Sequence, residues 1–224
     1  MTMTQHDKDQ CRGDKCTNGH CTNEEYSGET RRADRLRETP MTYEEYANLP
    51  EDGNRYELVD GQLELMSPAP SLTHQMISSR LLSLLSRDCD PEYEIISAPV
   101  DIVLSNTEVR QPDLVMIHLS RLPIYKERGK IDEPPDLVVE ILSRHSLKRD
   151  KVAKRKAYAK FGVPEYWIVN PEDESLEQHL LGPNGSYDLA DVYTGDEPIR
   201  SDRLKCVSFS MNAIMSRVKN LPEA

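Results

Sequence analysis

The sequence lacks any run of roughly 18 or more apolar residues, the length that a membrane-spanning helix needs. Its first residues, Met1 to Asp9, are polar and lack the apolar stretch of a secretory signal peptide. These two absences argue against a helical membrane protein and against a secreted one. We therefore expect a soluble cytoplasmic protein with no membrane partner.

Positive charge is also scarce. Lys and Arg number 28 against 39 Asp and Glu, which gives a formal net charge of −11. Because phosphate groups bind to basic surfaces and release counterions there, this balance disfavours tight, non-specific binding to DNA. It still allows a local basic patch beside an acidic metal site.

Cysteine pairs with the usual spacing of a zinc site are missing. The five cysteines are Cys11, Cys16, Cys21, Cys89 and Cys206. The first three could bind zinc together with His20, but their spacing matches no standard zinc motif. Residues 1–40 contain almost no large apolar residues, so we predict a disordered extension there, with zinc binding as the alternative. We expect Cys89 and Cys206 to be isolated structural thiols, because disulfides are rare in a reducing compartment.

The rest of the chain predicts one domain over residues 41–215, followed by a tail over 216–224. A short helix is expected after Thr42, which can cap it, with Glu45 at the capping-box position and Pro50 at its end. Asp60-Gly61 is a strong turn signal and predicts a hairpin of two short strands.

Helices and strands then alternate. A helix over 72–88 carries apolar residues at helical spacing on one face: Ile77, Leu81, Leu84 and Leu85. Strands are predicted over 94–104, 113–119 and 136–142, with a polar connector over 120–135 between the last two. A basic helix over 146–161 ends at Gly162. Further short strands are predicted over 165–171, 175–181, 187–193 and 204–210. This order predicts an α/β or α+β fold.

Glu140 interrupts the apolar run Leu137–Leu142, where an ionised carboxylate is costly unless it meets a cation or hydrogen-bond donors. A surface lysine is one candidate for that cation, and a metal ion is the other. Asp113 has a parallel setting, directly before an apolar strand. Two carboxylates on adjacent central strands can converge on a hard cation such as Mg²⁺, which can activate a water and stabilise charge on a phosphodiester.

The helix after Glu140 is rich in lysine and arginine. Asp150, Lys154 and Tyr158 recur every four residues and share one stripe, while Ala153, Ala157 and Phe161 form an apolar stripe that we expect to face the sheet. A solvated basic face is the ordinary interpretation of such a helix. Its position directly after a candidate metal strand favours a phosphate-facing lysine.

Taken together, these segments resemble the Uma-two family of the PD-(D/E)XK nuclease superfamily over about residues 41–215. The matching segments, in chain order, are RYELVDG (55–61), His74, QPDLVMI (111–117), PDLVVEILS (135–143), the Asp150, Lys154 and Tyr158 helix, and GVPEYWIVNP (162–171). The resemblance implies a restriction-endonuclease-like fold, a central mixed sheet flanked by helices. It also implies Mg²⁺-dependent hydrolysis of phosphodiester bonds in DNA, with Mn²⁺ as a second candidate ion.

The resemblance carries over to individual residues. Asp113 matches the Asp of the PD element and Glu140 the acidic residue of the (D/E)XK element, so both are expected to hold the metal. The lysine usually found two positions later is replaced by Leu142, and Lys154 on the next helix matches the family's alternative position. Glu57 matches a further acidic position that completes the catalytic set, with an ion pair to Arg55 as the alternative.

Three other residues are interpreted more conservatively. His74 could contact a phosphate or orient a carboxylate, although a histidine at a helix start is more often structural. Tyr158 and Trp167 are interpreted as packing residues. Since Leu142 departs from the usual motif, a catalytically inactive relative that binds nucleic acid or protein is the rival hypothesis. A homodimer is left open, because cutting two strands takes two sites.

Overall fold

The computed structural model describes residues 39–66, 70–126, 130–143 and 149–218. The candidate zinc ligands near the N-terminus lie outside the described residues, as do most of the predicted extension, residues 144–148 before the basic helix and most of the predicted tail. The side chain of Asp150 is also outside them.

Within the described residues, the chain forms four α-helices and twelve strands. The helices are α1 (Tyr43–Ala47), α2 (Leu72–Cys89), α3 (Arg149–Phe161) and α4 (Met211–Met215). The strands are β1 (Tyr56–Val59), β2 (Gln62–Leu65), β3 (Tyr93–Ser97), β4 (Asp101–Ser105), β5 (Glu108–Arg110), β6 (Leu114–His118), β7 (Tyr125–Lys126), β8 (Lys130–Ile131), β9 (Leu137–Ile141), β10 (Glu165–Asn170), β11 (Ser175–Leu181) and β12 (Tyr187–Thr194). A 3-10 helix spans Leu119–Ile124.

The strands form two mixed sheets. The main sheet has the order β12-β11-β10-β9-β6-β3, and the second sheet has the order β2-β1-β5-β4-β8-β7. In the main sheet, β9 pairs in parallel with β10 and antiparallel with β6. Every residue of β9 is buried, as expected for a central strand that is covered on both faces. The predicted mixed α/β architecture is confirmed.

The two faces of the main sheet support separate cores. Leu114 and Val139 face a core shared with α2 and α4, whereas Val115 and Val138 face a core that includes Tyr158 of α3. Because side chains alternate along a strand, Glu140 lies on the same face as Val138, the face covered by α3.

Short-range signals correctly predicted several elements. Thr42 and Glu45 form the capping box of α1, although that helix ends at Ala47, before Pro50. Asp60 and Gly61 both have positive φ, as a two-residue hairpin turn between β1 and β2 requires. The four apolar residues predicted on one face of α2 are buried. Gly162, with φ +91°, ends α3 as expected.

Two strand predictions and one connector prediction need correction. Segment 94–104 does not form one strand, because the cis peptide bond Ala98-Pro99 separates β3 from β4, which join different sheets. The connector over 120–135 contains the short strands β7 and β8. Segment 204–210 forms no strand. Its backbone bends, and Ser210 makes only an isolated bridge to Pro198.

The prediction that Cys89 and Cys206 are isolated thiols is wrong, because they form a disulfide. The bond joins the last residue of α2 to the segment before α4. The two cysteines are 117 residues apart in the chain, so their spacing gave no sign of the pairing.

We expect the Cys206→Ser variant to lower the free energy of unfolding by about 2–5 kcal/mol, since the bond closes a long loop in the unfolded chain. Urea denaturation with and without a reducing agent measures this loss. Reduction should destabilise the wild-type protein and leave Cys206→Ser unchanged. An equal effect of reduction on both proteins would contradict a stabilising role for the bond.

Candidate active site

Asp113 lies directly before β6 and is fixed against β9. Its Oδ2 accepts a hydrogen bond from the backbone N–H of Ile141 at 2.7 Å, and Nε2 of His74 lies 3.2 Å from the same oxygen. Leu114 pairs with Val139 in the antiparallel register of β6 and β9. Continuing that register by one residue places Asp113 beside Glu140, on the face covered by α3.

His74, in the first turn of α2, therefore contacts a candidate metal ligand. Burial alone would lower the pKa of His74, but the hydrogen bond to Asp113 and the charge of Asp113 outweigh burial and raise the pKa above its usual value. Nδ1 of the ring is buried and has no hydrogen-bond partner in the described part of the chain. Of the three interpretations of His74 that the sequence left open (phosphate contact, orientation of a carboxylate, and a purely structural role), the geometry matches orientation of a carboxylate.

Glu140 is buried, with 8% of its surface exposed. Nζ of Lys154 donates to both carboxylate oxygens at 3.0 Å, and the hydroxyl of Tyr158 donates to Oε1 at 2.8 Å. Burial raises the pKa of Glu140 to about 7. The charge of Lys154 lowers the pKa, but only in part, because Asp113 and Glu57 act in the opposite direction. Burial is thus the main reason why Glu140 holds a proton more readily than an exposed glutamate does.

Glu57 reaches the same lysine from the second sheet. Its Oε1 lies 3.4 Å from Nζ of Lys154 and accepts a hydrogen bond from the backbone N–H of Gln111 at 2.9 Å. Nη1 of Arg110 donates to Oε2 at 3.2 Å. The alternative pairing of Glu57 with Arg55 is wrong, because Arg55 donates instead to the side chain of Gln111.

Lys154 is the residue common to these contacts. Burial alone would lower its pKa, but the charges of Glu140 and Glu57 outweigh burial and raise the pKa above its usual value. The structure thus brings Asp113, Glu140, Lys154 and Glu57 together, as the sequence predicted.

The sequence of the chain matches the Uma2 family, described as "Putative restriction endonuclease", over residues 43–212. The chain belongs to the Uma2 family. Among solved structures, it is similar to "a putative nuclease belonging to DUF820" from Anabaena variabilis ATCC 29413, with a TM-score of 0.64 and 22% sequence identity. The similarity covers 79% of this chain and 98% of that one, and at this identity it supports the fold. No curated protein matches the sequence.

In this Uma2 protein, the residue that replaces the usual motif lysine takes no part in the site. Leu142 follows the last residue of β9 and packs against the core beneath α3. Trp167 is a packing residue, as predicted: it is buried against Phe209, and its ring nitrogen donates to Glu165 at 2.7 Å. The interpretation of Tyr158 as packing alone was incomplete, since its hydroxyl also binds Glu140.

Arg110 is a site residue that the sequence did not identify. Its guanidinium is buried and joins Glu57 to Glu108, with Nη2 of Arg110 only 2.6 Å from Oε1 of Glu108. Glu108 and Arg110 are two residues apart on β5 and so share one face of the strand. This shared face could have suggested the ion pair between Glu108 and Arg110. It gave no indication of the other partner, Glu57, which is 53 residues away in sequence.

The donor set suits a hard divalent cation. Oδ1 of Asp113 receives no hydrogen bond from the described residues, whereas Oδ2 is engaged twice. Asp113, Glu140 and Glu57 are opposed by Lys154 and by Arg110, which is shared with another carboxylate. No group of three or more His, Cys, Asp or Glu is placed to hold a metal ion within the described parts of the chain. Mg²⁺ commonly uses one or two carboxylates and keeps several waters, so two such ligands are sufficient.

No helix among the described residues is long and apolar enough to cross a membrane.

We expect Lys154→Met to lower the free energy of unfolding by about 3–5 kcal/mol, because it leaves two buried carboxylates without their shared cation. Urea denaturation measures the loss. The exposed Lys205 provides a matched control, and Lys205→Met should change stability by less than about 0.5 kcal/mol.

Adding Glu140→Gln to Lys154→Met should restore part of the lost stability, because the side chain left without its cation is then neutral. A double variant that loses the full sum of the two single losses would show that the two residues are energetically independent.

Proposed function

We propose that this protein is a metal-dependent endonuclease that hydrolyses phosphodiester bonds in DNA. Asp113 and Glu140 would hold Mg²⁺, or Mn²⁺ in its place. When bound, the ion would supply a Lewis acid that lowers the pKa of a water and offsets charge on the phosphate. The observation that carries the proposal is the convergence of Asp113, Glu140 and Lys154 at one end of two adjacent central strands.

Asp113 and Glu140 are positioned before any ligand binds. The backbone N–H of Ile141 and the ring of His74 hold one oxygen of Asp113, which leaves the other oxygen to coordinate a cation. Tyr158 and Lys154 orient the carboxylate of Glu140 from the side of α3. Such support around the ligands fixes their geometry and is often worth ten- to a hundredfold in metal affinity or activity.

Lys154 supplies the charge that the phosphate needs. Its raised pKa keeps the amine protonated at neutral pH, so its charge can offset negative charge that develops on a phosphate. Glu57 holds this amine from the second sheet, and Arg110 holds Glu57. Glu57 therefore acts as a residue that positions Lys154.

We expect purified wild-type protein to nick supercoiled plasmid in the presence of Mg²⁺ or Mn²⁺ and to stop when EDTA is added. Glu140→Gln and Asp113→Asn should each reduce the nicking rate by more than about a hundredfold, since each removes a ligand and not only a supporting contact. Gel electrophoresis of the plasmid measures the rate.

Glu94→Gln is the matched control. Glu94 is an exposed carboxylate on β3, so its replacement should leave nicking unchanged. Circular dichroism must show that the Glu140→Gln protein is folded. Wild-type nicking by folded Glu140→Gln would refute the assignment of this residue.

Two observations favour a second candidate, a non-catalytic relative that binds nucleic acid or protein. Lys154 already donates to both oxygens of Glu140, and Leu142 replaces the usual motif lysine. Calorimetric titration with Mg²⁺ and Mn²⁺ separates the two candidates. Binding that disappears in Asp113→Asn favours the nuclease, and the absence of binding favours the non-catalytic relative.

A further inference from the structure

A cavity of about 670 Å³ lies beside the candidate active site, between α3 and the second sheet. Its size is within the range of small-molecule sites, roughly 300–1,000 Å³. Arg110, which is 4% exposed, forms part of its lining and also holds Glu57 in the site. Arg110 therefore contacts both the cavity and a residue of the site.

The cavity and the site also share one face of the second sheet. Glu57 and Val59 are two residues apart on β1, so their side chains project to the same side. Glu57 contacts Lys154, whereas Val59 lines the cavity. Along α3, Lys160 is six residues from Lys154, about 9 Å along the helix axis.

Part of the cavity wall is apolar. It includes Ala153, Ala157 and Phe161, the stripe that the sequence predicted to face the sheet, together with Leu104 of β4. That prediction needs correction: Ala153 is exposed and Ala157 only half-buried, whereas Tyr158 and Ala159 are buried. The stripe thus leaves an apolar surface, with one aromatic ring, that the described chain does not cover.

Charged groups without partners line the same cavity. Lys156 and Lys160 of α3 make no ion pair or hydrogen bond with the described residues, and neither does the carboxylate of Asp60 in the hairpin turn. Free amines suit a phosphate. A free carboxylate only accepts hydrogen bonds, so it suits the exocyclic amino group of adenine, cytosine or guanine. Thymine offers one donor, its N3–H, which is flanked by two carbonyl oxygens that a carboxylate repels.

We propose that this cavity binds a nucleotide, with the base between the apolar wall and Asp60 and the phosphate against Lys156 and Lys160. The aromatic ring of Phe161 provides a surface on which a base can stack. The same chemistry is offered by a free nucleotide and by one nucleotide of a DNA strand that continues into the active site. The second source rests on the proposed function.

Calorimetric titration of the full-length protein in EDTA tests the proposal without any contribution from cleavage. Adenosine monophosphate should bind more tightly than adenosine, which lacks the phosphate, and more tightly than thymidine monophosphate. Absence of measurable binding of both adenosine monophosphate and a short single-stranded oligodeoxyadenylate would overturn the proposal.

Three variants address the separate parts of the cavity. Ala153→Trp should abolish binding by filling it, and replacing Lys156 and Lys160 together by Met should weaken binding at least about tenfold. Asp60→Asn should reduce the preference for adenosine over thymidine monophosphate, because an amide can also donate. Asn tolerates the positive φ of this position, so the turn is preserved.

Val192→Trp is the matched control, since Val192 is exposed on β12 and does not line the cavity. It should bind adenosine monophosphate as the wild type does. Equal binding by Ala153→Trp and the control would contradict the assigned location.

The oligonucleotide identifies the source of the nucleotide. If Ala153→Trp weakens binding of the oligonucleotide as much as that of the mononucleotide, the cavity accepts part of a strand; if only the mononucleotide is affected, it accepts the free form.

Plasmid nicking separates this proposal from the proposed function. Nicking without nucleotide binding contradicts only the cavity assignment, and nucleotide binding without nicking contradicts only the nuclease.

Discussion

Lys154 places one amine 3.0 Å from both oxygens of Glu140 and 3.4 Å from Glu57, and the rest of the candidate site is built around these contacts. Every residue of β9 is buried, so an ionised Glu140 without a cation would cost several kcal/mol there. Glu140 belongs to the main sheet, Glu57 to the second sheet and Lys154 to α3. A single ion-pair network therefore joins both sheets and one helix at the point where the candidate chemistry takes place.

Two regular patterns bring the remaining groups to Glu140. The antiparallel register of β6 and β9 places Asp113 beside Glu140, on the face that α3 covers. Within α3, Lys154 and Tyr158 are four residues apart, so both lie on one stripe and both reach Glu140. Lys154 thus contacts Glu140 from α3. A lysine at position 142, two residues after Glu140, would instead contact this carboxylate from the strand. The leucine at 142 is free to pack in the core as a result.

Features determined by short-range interactions were predictable from the sequence. The capping box of α1 and the Asp60-Gly61 turn depend on neighbouring residues, and the family resemblance identified Asp113, Glu140 and Lys154. The disulfide between Cys89 and Cys206 could not be predicted, because it depends on how the fold brings distant segments together. The same reason applies to Arg110, whose partner Glu57 is on another strand. It also applies to the apolar stripe of α3, because periodicity shows that a face exists but not what covers it.

The positions of the lysine and arginine side chains show how an acidic protein could still bind a phosphate. Lys154 and Arg110 are paired with carboxylates, whereas Lys156 and Lys160 remain without partners in the described structure. Unpaired positive charge is therefore available to a phosphate along α3, next to the site. With a net charge of −11, the chain as a whole repels a polyanion. Nucleic acid would then bind weakly to other parts of the surface, and substrates that contact α3 would be favoured. The acidic composition would thus increase selectivity for this face. It does not exclude nucleic acid as a ligand.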